Sequence, residues 1–205
     1  MTGPGMRVLG ADYSLDGSEV WTTLRDGTFV RLRSVRAADA PGLRTFLSTV
    51  SRDSLDLRFF SAVQSEIVLA QIIQLPQSPA HVSLLMEVFD PTPRIIGQAE
   101  YDQLPATPAV AEVAFLVADA YQGRGAGTAL LHELARRARR HGIERFAACV
   151  LLENQAMRDV FVGAGFPFSL VRDGTEMLVE LDIHEEPQTD LALPGLRSRG
   201  TSTAT

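Results

Sequence analysis

The sequence lacks several features that would assign the chain to a specialised class of protein. Cysteine occurs once, at Cys149, so no disulfide can form within the chain, and a reducing compartment is expected. No apolar run approaches the roughly 20 residues that a membrane-spanning helix needs. Residues 1–12 contain neither a basic start nor an apolar stretch, so no secretory signal is expected. These absences predict a cytoplasmic protein that binds no membrane.

Positive charge and metal ligands are also scarce. Lysine and arginine number 19 against 25 acidic residues, which gives a formal net charge of −6 and argues against nonspecific binding of nucleic acid. The histidines show no metal-ligand spacing with Cys149 or with a pair of carboxylates. We therefore expect neither a nucleic-acid partner nor a bound metal.

Turn signals and apolar spacing predict a chain that alternates between strands and helices. The expected strands cover residues 19–24, 28–34, 81–89, 94–101, 111–117, 146–151, 166–172 and 175–183. The expected helices run from the N-cap Asp39 to Val50, over 53–60 and 65–75, from Thr128 to Gly142, and through Met157 and Phe161. We expect one domain over residues 19–183, a flexible arm over 1–18 and a disordered tail over 184–205.

The most informative stretch is the glycine-rich run Gln122-Gly123-Arg124-Gly125-Ala126-Gly127-Thr128. It lies between the strand expected over 111–117 and the helix that follows. Strand, glycine-rich turn and helix form a common site for phosphate groups. Glycines let backbone N–H groups approach the ligand closely, and the helix N-terminus carries about half a positive charge. The run therefore predicts a loop that binds a phosphate-bearing ligand.

The spacing of the glycines excludes two common phosphate loops. A loop of the ATPase kind needs a lysine after its last glycine, but Thr128 directly follows Gly127. A dinucleotide fingerprint needs glycine or alanine at its third position, and both registers place Thr128 or Leu130 there. The pattern that remains is Gln-x-x-Gly-x-Gly, formed by Gln122, Gly125 and Gly127.

This pattern resembles the pyrophosphate-binding motif of the GCN5-related N-acetyltransferases, the GNAT family, which bind acetyl-CoA. Residues 111–117 resemble the central strand of that family, and residues 153–166 resemble its second conserved block, where an asparagine contacts CoA and the helix ends in Gly-Phe. The Asp173-Gly174 hairpin also matches the end of the fold. The resemblance implies an α/β (α+β) GNAT fold, with a mixed, mostly antiparallel sheet of about six to seven strands between layers of helices.

A narrower resemblance covers the front of the chain. Asp26-Gly27-Thr28, Ala38-Asp39-Ala40 and Leu57-Arg58-Phe59-Phe60 occur in the order found in bacterial protein lysine acetyltransferases of the Pat type. The whole likeness spans roughly residues 26–183. It implies that the acceptor is a protein lysine, for example on an acyl-CoA synthetase, and that the acyl donor is acetyl-CoA. Whether the protein is a monomer or a homodimer stays open.

The GNAT resemblance implies that Glu112 is the general base. Lysine has a pKa near 10.4, so only about one amine in a thousand is neutral and able to attack near pH 7.4. Glu112 shares a strand face with Ala114 and Leu116. Desolvation in such a setting increases the proton affinity of a carboxylate, and burial of this kind is expected at Glu112. The alternative is a half-exposed glutamate at the start of a strand.

The resemblance also implies a set of cofactor contacts. Backbone N–H groups are expected to meet the pantetheine where the central strand splays from its neighbour, and to stabilise the developing oxyanion. The glycine run is expected to hold the pyrophosphate, with added charge from Arg124 and a hydroxyl from Thr128. Asn154 either contacts the pantetheine or caps its helix. The expected contacts are Leu116, Val117, Gln122, Gly123, Arg124, Gly125, Ala126, Gly127, Thr128, Asn154, Met157 and Phe161.

One residue departs from the family pattern. Many GNAT enzymes place a tyrosine in the last helix as the general acid, whereas this chain has Phe161. Thiols have pKa values near 8.5 and leave readily, so the reaction does not depend on that acid. Three hypotheses follow: a protein lysine acetyltransferase, a small-molecule amine N-acetyltransferase, and a catalytically weak acyl-CoA-binding regulatory module.

Overall fold

The computed structural model describes residues 19–59, 65–74 and 77–187. The strands are β1 (Glu19–Thr23), β2 (Phe29–Ser34), β3 (His81–Phe89), β4 (Pro93–Gln103), β5 (Val110–Val117), β6 (Arg145–Leu151), β7 (Phe168–Asp173) and β8 (Glu176–Asp182). The helices are α1 (Ala40–Thr49), α2 (Arg52–Phe59), α3 (Ser65–Gln74), α4 (Ala126–Arg140) and α5 (Gln155–Gly163). The arm expected over residues 1–18 and the tail expected beyond residue 187 lie outside the described residues. None of the described helices has both the length and the apolar character needed to cross a membrane.

All eight strands form one sheet, in the order β1-β2-β3-β4-β5-β6-β8-β7. Only β5 and β6 run parallel, and the other neighbours are antiparallel. The mixed, mostly antiparallel sheet is confirmed, and it contains the eight strands expected from the sequence, more than the six to seven that the family resemblance implied. The count is higher because both terminal hairpins join the sheet, β1–β2 through β3 and β7–β8 through β6.

Helices cover both faces of the sheet and enclose two apolar cores. On one face α4 and α5 pack through Leu130, Leu131, Leu134 and Phe161 against strands from both halves of the sheet. On the other face α1 and α3 bury a second cluster that includes Phe46 and Leu116. The alternation of side chains along β5 serves both cores, because Val113 and Phe115 face the first and Leu116 faces the second.

A buried ionic network ties β2 and β3 to the start of α1. Glu87 accepts hydrogen bonds from Arg31 Nε at 2.9 Å and from Arg33 Nε and Nη2 at 3.0 and 2.7 Å. Arg33 also donates to both carboxylate oxygens of Asp39, each at 2.8 Å. Asp39 is the N-cap of α1 by position, but it makes no side-chain cap to that helix. The expected capping role is therefore replaced by an ion pair with Arg33.

The parallel pair at the centre of the sheet separates along its length. β5 and β6 are paired only between Val110–Glu112 and Arg145–Ala147. On its other side β5 stays paired with β4 as far as Val117. Beyond Glu112 a wedge therefore opens between β5 and β6. This wedge is the splay that the family resemblance implies, and it determines where a ligand can enter the sheet.

Candidate active site

A cavity of about 280 Å³ lies in the wedge between β5 and β6. Its walls come from the C-terminal half of β5, from residues 148–150 of β6, from the glycine run and from the helices α2 and α5. The cavity extends from the N-terminus of α4 to the carboxylate of Glu112. One end therefore suits an anion and the other end carries a potential base.

The glycine run forms an open helix N-terminus at one end of this cavity. Gly123 and Gly125 have φ values of +71° and +92°, which side-chain-bearing residues rarely adopt. Gly125 is the N-cap of α4, so the helix begins at Ala126 and not near Thr128, and no side chain caps it. The first-turn N–H groups of Ala126 to Thr128 lack intrahelical partners. They line the cavity and suit a phosphate group.

Gly127 is required for packing, and its role differs from that of the turn glycines. A Cβ at this position would lie 2.7 Å from Cγ2 of Val160 on α5. The absence of a side chain lets α4 and α5 approach closely at the end nearest the cavity. Both helices can then present residues to one ligand.

The side chain of Gln122 holds the glycine run in place. Its Nε2 donates to the carbonyl of Val117, to Oγ of Ser54 and to Oδ1 of Asp119, each at 3.1 Å. Asp119 in turn accepts from the N–H of Ser51 at 2.7 Å and from Oγ of Ser54 at 2.6 Å. One of these three contacts is to the backbone, at the end of β5. The same network fastens α2 to the loop.

Arg124 does not face the cavity. Its Nη1 donates to Oδ2 of Asp26 at 2.9 Å, and its guanidinium lies 5.2 Å from the centre of the Tyr121 ring. Arg124 is not among the residues that line the cavity. The expectation that its charge meets the pyrophosphate is therefore not supported, because Asp26 holds the side chain elsewhere. Arg25, which the sequence analysis did not single out, lines the cavity instead.

Glu112 lines the cavity, but it is not buried. The carboxylate belongs to an exposed residue, so the desolvation expected from its apolar neighbours on the strand is absent. Arg58 of α2 lies on the same side of the sheet and donates to Oε1 of Glu100 at 2.8 Å. Burial lowers the pKa of the Arg58 guanidinium, and the charges of Glu100, Glu112 and Asp102 oppose that shift. Glu112 therefore lies within the field of a nearby cation.

The two expected backbone donors on β5 differ in direction. The N–H of Ala118 donates to the carbonyl of Ile96 at 2.9 Å, toward β4. Successive residues of an antiparallel strand direct their N–H groups to opposite sides. The N–H of Val117 therefore faces the wedge, whereas that of Leu116 faces β4. The expected N–H contact fits Val117 and not Leu116, although both residues line the cavity.

Three expected contacts come from α5 and the residue before it. Asn154 caps the helix, because its Oδ1 accepts from the N–H of Met157 at 3.0 Å. Its side-chain amide borders the cavity, so the pantetheine contact stays a prediction. Met157 packs against the first core and also borders the cavity. Phe161 is 1% exposed, so its ring is mainly a core residue.

No tyrosine lines the cavity in the part of the chain that the structure describes. Tyr121 accepts a hydrogen bond from Nη2 of Arg94 at 2.8 Å, outside this cavity. Cys149 borders the cavity and donates to Oε2 of Glu176 at 2.9 Å. Burial and the Glu176 carboxylate raise the pKa of this thiol to about 11, so it is protonated and a poor nucleophile. Attack by the acceptor itself is thus favoured over an acyl-cysteine.

Several cavity residues were missed by sequence reasoning. Ser54 of α2 and Val150 of β6 belong to elements that were expected, but spacing alone does not show which residues meet at a wedge. Leu57 and Arg58 lie in the Leu-Arg-Phe-Phe segment that carries the narrower resemblance, and this was a usable signal. Among the described residues, no group of three His, Cys, Asp or Glu side chains is arranged to hold a metal.

Comparisons with known proteins agree with this geometry. A family model described as the acetyltransferase (GNAT) family matches residues 53–166, more than half of the chain. An acetyltransferase of Pseudomonas aeruginosa is 30% identical over 157 residues, which make up 75% of this chain and 83% of that protein.

Solved structures give the same result. The crystal structure of the GNAT domain of S. lividans PAT has a TM-score of 0.72 and 35% identity, and covers 83% of this chain and 99% of that domain. A Salmonella typhimurium protein solved with its cofactor acetyl-CoA shares the fold, with a TM-score of 0.58 at 20% identity over 80% of this chain and 98% of that chain. The chain described here therefore belongs to the GNAT family of acetyltransferases and is an acyltransferase similar to the GNAT domain of Pat.

Proposed function

We propose that this enzyme transfers an acetyl group from acetyl-CoA to a lysine of another protein, with Glu112 as the general base. The observation that carries the proposal is the continuity of one cavity from the open N-terminus of α4 to the Glu112 carboxylate. A thioester bound along the wedge would have its phosphates at the first end and its acyl group near the second. The acceptor amine then approaches from the side of α2.

The residues around the wedge fit an acetyl-CoA donor. The N-terminus of α4 supplies uncapped N–H groups for phosphate, and the side-chain amide of Asn154 borders the path of the pantetheine. The N–H of Val117 faces the wedge and can donate to the carbonyl oxygen that gains negative charge during transfer. When bound, acetyl-CoA supplies the activated acyl group. The chain itself provides orientation and the base.

Glu112 is suited to remove the proton of an incoming ammonium group. Its carboxylate is accessible from solvent, so a proton can be passed on to water after it is accepted. The neighbouring carboxylates of Glu100 and Asp102 add negative charge on the same side of the sheet, where Arg58 is paired with Glu100 and the imidazole of His81 contacts Asp102. This balance attracts a cationic acceptor such as lysine. The narrower likeness to Pat supports a protein as the source of that lysine.

The test is the release of CoA thiol from acetyl-CoA by the native protein and by Glu112→Gln. The acceptors are an acyl-CoA synthetase from the same source and a panel of small amines. General bases typically contribute 10²–10⁴-fold, so we expect Glu112→Gln to lower kcat by about a hundredfold or more. The affinity for acetyl-CoA, measured by calorimetry, should not change. Glu144→Gln is the matched control, because Glu144 is exposed and lies outside the cavity.

The two kinds of acceptor distinguish the three functional hypotheses. Release that depends on the synthetase and is lost in Glu112→Gln supports both parts of the proposal. Release of CoA thiol with small amines but not with the synthetase would make the enzyme a small-molecule amine N-acetyltransferase. If acetyl-CoA binds but no acceptor is modified, the protein is an acyl-CoA-binding regulatory module and the proposal is wrong.

A further inference from the structure

The turn between β1 and β2 is fastened to the glycine run, although it is nearly 100 residues away in sequence. The N–H of Arg25 donates to the carbonyl of Arg124 at 2.9 Å. The carboxylate of Asp26 accepts from Nη1 of Arg124 at 2.9 Å and also from the N–H of Thr28 at 3.0 Å. Two contacts between the same segments fix their relative position. The β1–β2 turn is therefore part of the wall around the anion-binding end of the cavity.

The side chain of Arg25 lies across this end of the cavity, next to Gly125 and Gly163. A Cβ at Gly125 would lie 3.1 Å from Cγ of Arg25, and a Cβ at Gly163 would lie 3.1 Å from its Nη2. The Gly163 position is also 3.9 Å from Oγ1 of Thr128. The guanidinium thus lies between the first turn of α4 and the last residue of α5. The absence of side chains at both glycines provides the room that it occupies.

The Arg25 guanidinium is a cation without a partner among the residues that the structure describes. Within the described residues it makes no hydrogen bond and no ion pair, whereas Arg58 and Arg124 are paired with Glu100 and Asp26. The carboxylates that line the cavity belong to Glu112 and Asp159, and neither lies within ion-pair distance of Arg25. The cavity therefore has unneutralised positive charge at the end where the N–H groups of α4 are also open.

We propose that Arg25 binds a phosphate group of the CoA moiety, the task that the family resemblance implied for Arg124. The inference rests on the proposed use of acetyl-CoA and adds a residue from outside the glycine run. A guanidinium presents its N–H groups as a planar fork that matches phosphate oxygens. Together with the helix N-terminus it forms a two-sided anion site. The phosphate is either one of the pyrophosphate or the 3′-phosphate.

The test is the affinity of native protein, Arg25→Gln and Arg25→Ala for acetyl-CoA and for dephospho-acetyl-CoA, which lacks the 3′-phosphate. Loss of charge-assisted hydrogen bonds should weaken acetyl-CoA binding by about tenfold to a hundredfold. Arg140→Ala is the matched control. Arg140 is exposed at the opposite end of α4, and its removal changes the net charge equally. Thermal unfolding of each variant shows whether the fold is retained.

The two ligands identify the phosphate. If the Arg25 variants lose affinity for acetyl-CoA but not for dephospho-acetyl-CoA, Arg25 contacts the 3′-phosphate. If they lose affinity equally for both ligands, Arg25 contacts the pyrophosphate. The affinity of the native protein should also fall more steeply with salt than that of Arg25→Gln, an effect that a purely structural role would not produce. If the Arg25 variants bind acetyl-CoA as the Arg140 control does, the assignment of Arg25 is overturned while the proposed function stands. Native protein that fails to bind acetyl-CoA would instead reject both.

Discussion

Three arginines near the cavity differ in what neutralises them. Arg58 is paired with Glu100, Arg124 is paired with Asp26, and Arg25 has no partner among the described residues. A paired guanidinium gains less from an incoming anion, because the anion must compete with a carboxylate already present. Ligand binding therefore depends on which cation is left unpaired, and distance from the glycine run in sequence does not determine this.

At the residue scale, Gly127 allows a direct test of helix packing. Because a Cβ there would lie 2.7 Å from Cγ2 of Val160, Gly127→Ala should force the two helices apart. Overpacking of this kind costs about 1–3 kcal/mol of the free energy of unfolding. Urea unfolding of the variant and of the native protein measures this loss.

The matched background for that measurement is Val160→Ala, which removes the atom that clashes. In this background Gly127→Ala should cost less, and the difference between the two costs is the coupling energy of the pair. An equal cost in both backgrounds would mean that the contact with Val160 is not the reason for glycine at position 127.

Sequence reasoning at this scale located the features that the local backbone determines and missed those in which a side chain chooses between partners. The glycine run forms a turn with positive φ before a helix, because a turn and a helix start are properties of the local sequence. The direction of Arg124 depends on Asp26 across the sheet. Glu112 is exposed although its neighbours on the same strand face are apolar. Neither can be read from spacing within one segment.

At the scale of elements, polar contacts hold the start of α2. None of its residues is buried, and the carboxylate of Asp119 receives hydrogen bonds from Ser51 and Ser54 at its start. Gln122 joins the same group through Ser54. The position of α2 over the cavity is therefore linked to the glycine run through Asp119 and through the direct hydrogen bond from Gln122 to Ser54.

Asp119→Ala should loosen both elements together. We expect faster hydrogen exchange in α2, a higher KM for acetyl-CoA and a loss of about 1 kcal/mol in stability. Ser48→Ala is a suitable control, because Ser48 is also exposed and bonds only the carbonyl of Thr45 within α1. Unchanged exchange in α2 would show that Asp119 does not hold this helix.

The contribution of Asp119 should also depend on pH. Desolvation raises the pKa of its carboxyl, but hydrogen bonds from Ser54 and Ser51 outweigh this, and the net shift is downward. A carboxyl with a lowered pKa stabilises the fold above its ordinary value near 3.9, and this stabilisation is lost as the pH falls through the lowered value. The difference in stability between native protein and Asp119→Ala should therefore shrink below about pH 4.

Element bounds were well predicted, because alternation and helical spacing are local. β3 was expected over residues 81–89 and is found there, and the other strands differ from expectation by a few residues at their ends. The splay of β5 from β6 was implied only by the family resemblance. It arises from the pairing of two strands separated by α4, a long-range property that no periodicity reports.

At the scale of the whole molecule, the ion pairs of the sheet differ sharply in burial. Glu87 and Arg33 have side chains that are 5% and 8% exposed, whereas those of Glu180 and Arg145 are 48% and 46% exposed. Hydrogen bonding to Asp39 raises the pKa of the Arg33 guanidinium. Burial opposes this shift, and the hydrogen bond and the charge of Glu87 reinforce it. The buried network lies at the β2–β3 end of the sheet and contributes no residue to the cavity.

The same substitution in the two pairs should therefore have unequal effects. Glu87→Gln leaves Arg33 buried with part of its neutralising charge removed, and loss of one partner of a buried pair typically costs about 3–5 kcal/mol. Glu180→Gln breaks an exposed pair and should cost about 0–1 kcal/mol. Urea unfolding of both variants measures the contrast, and equal losses would show that the Glu87 network does not hold the sheet together. Because Glu87 is remote from the wedge, the fraction of Glu87→Gln that remains folded should retain native affinity for acetyl-CoA. This result would separate the stability of the sheet from ligand binding at its splayed centre.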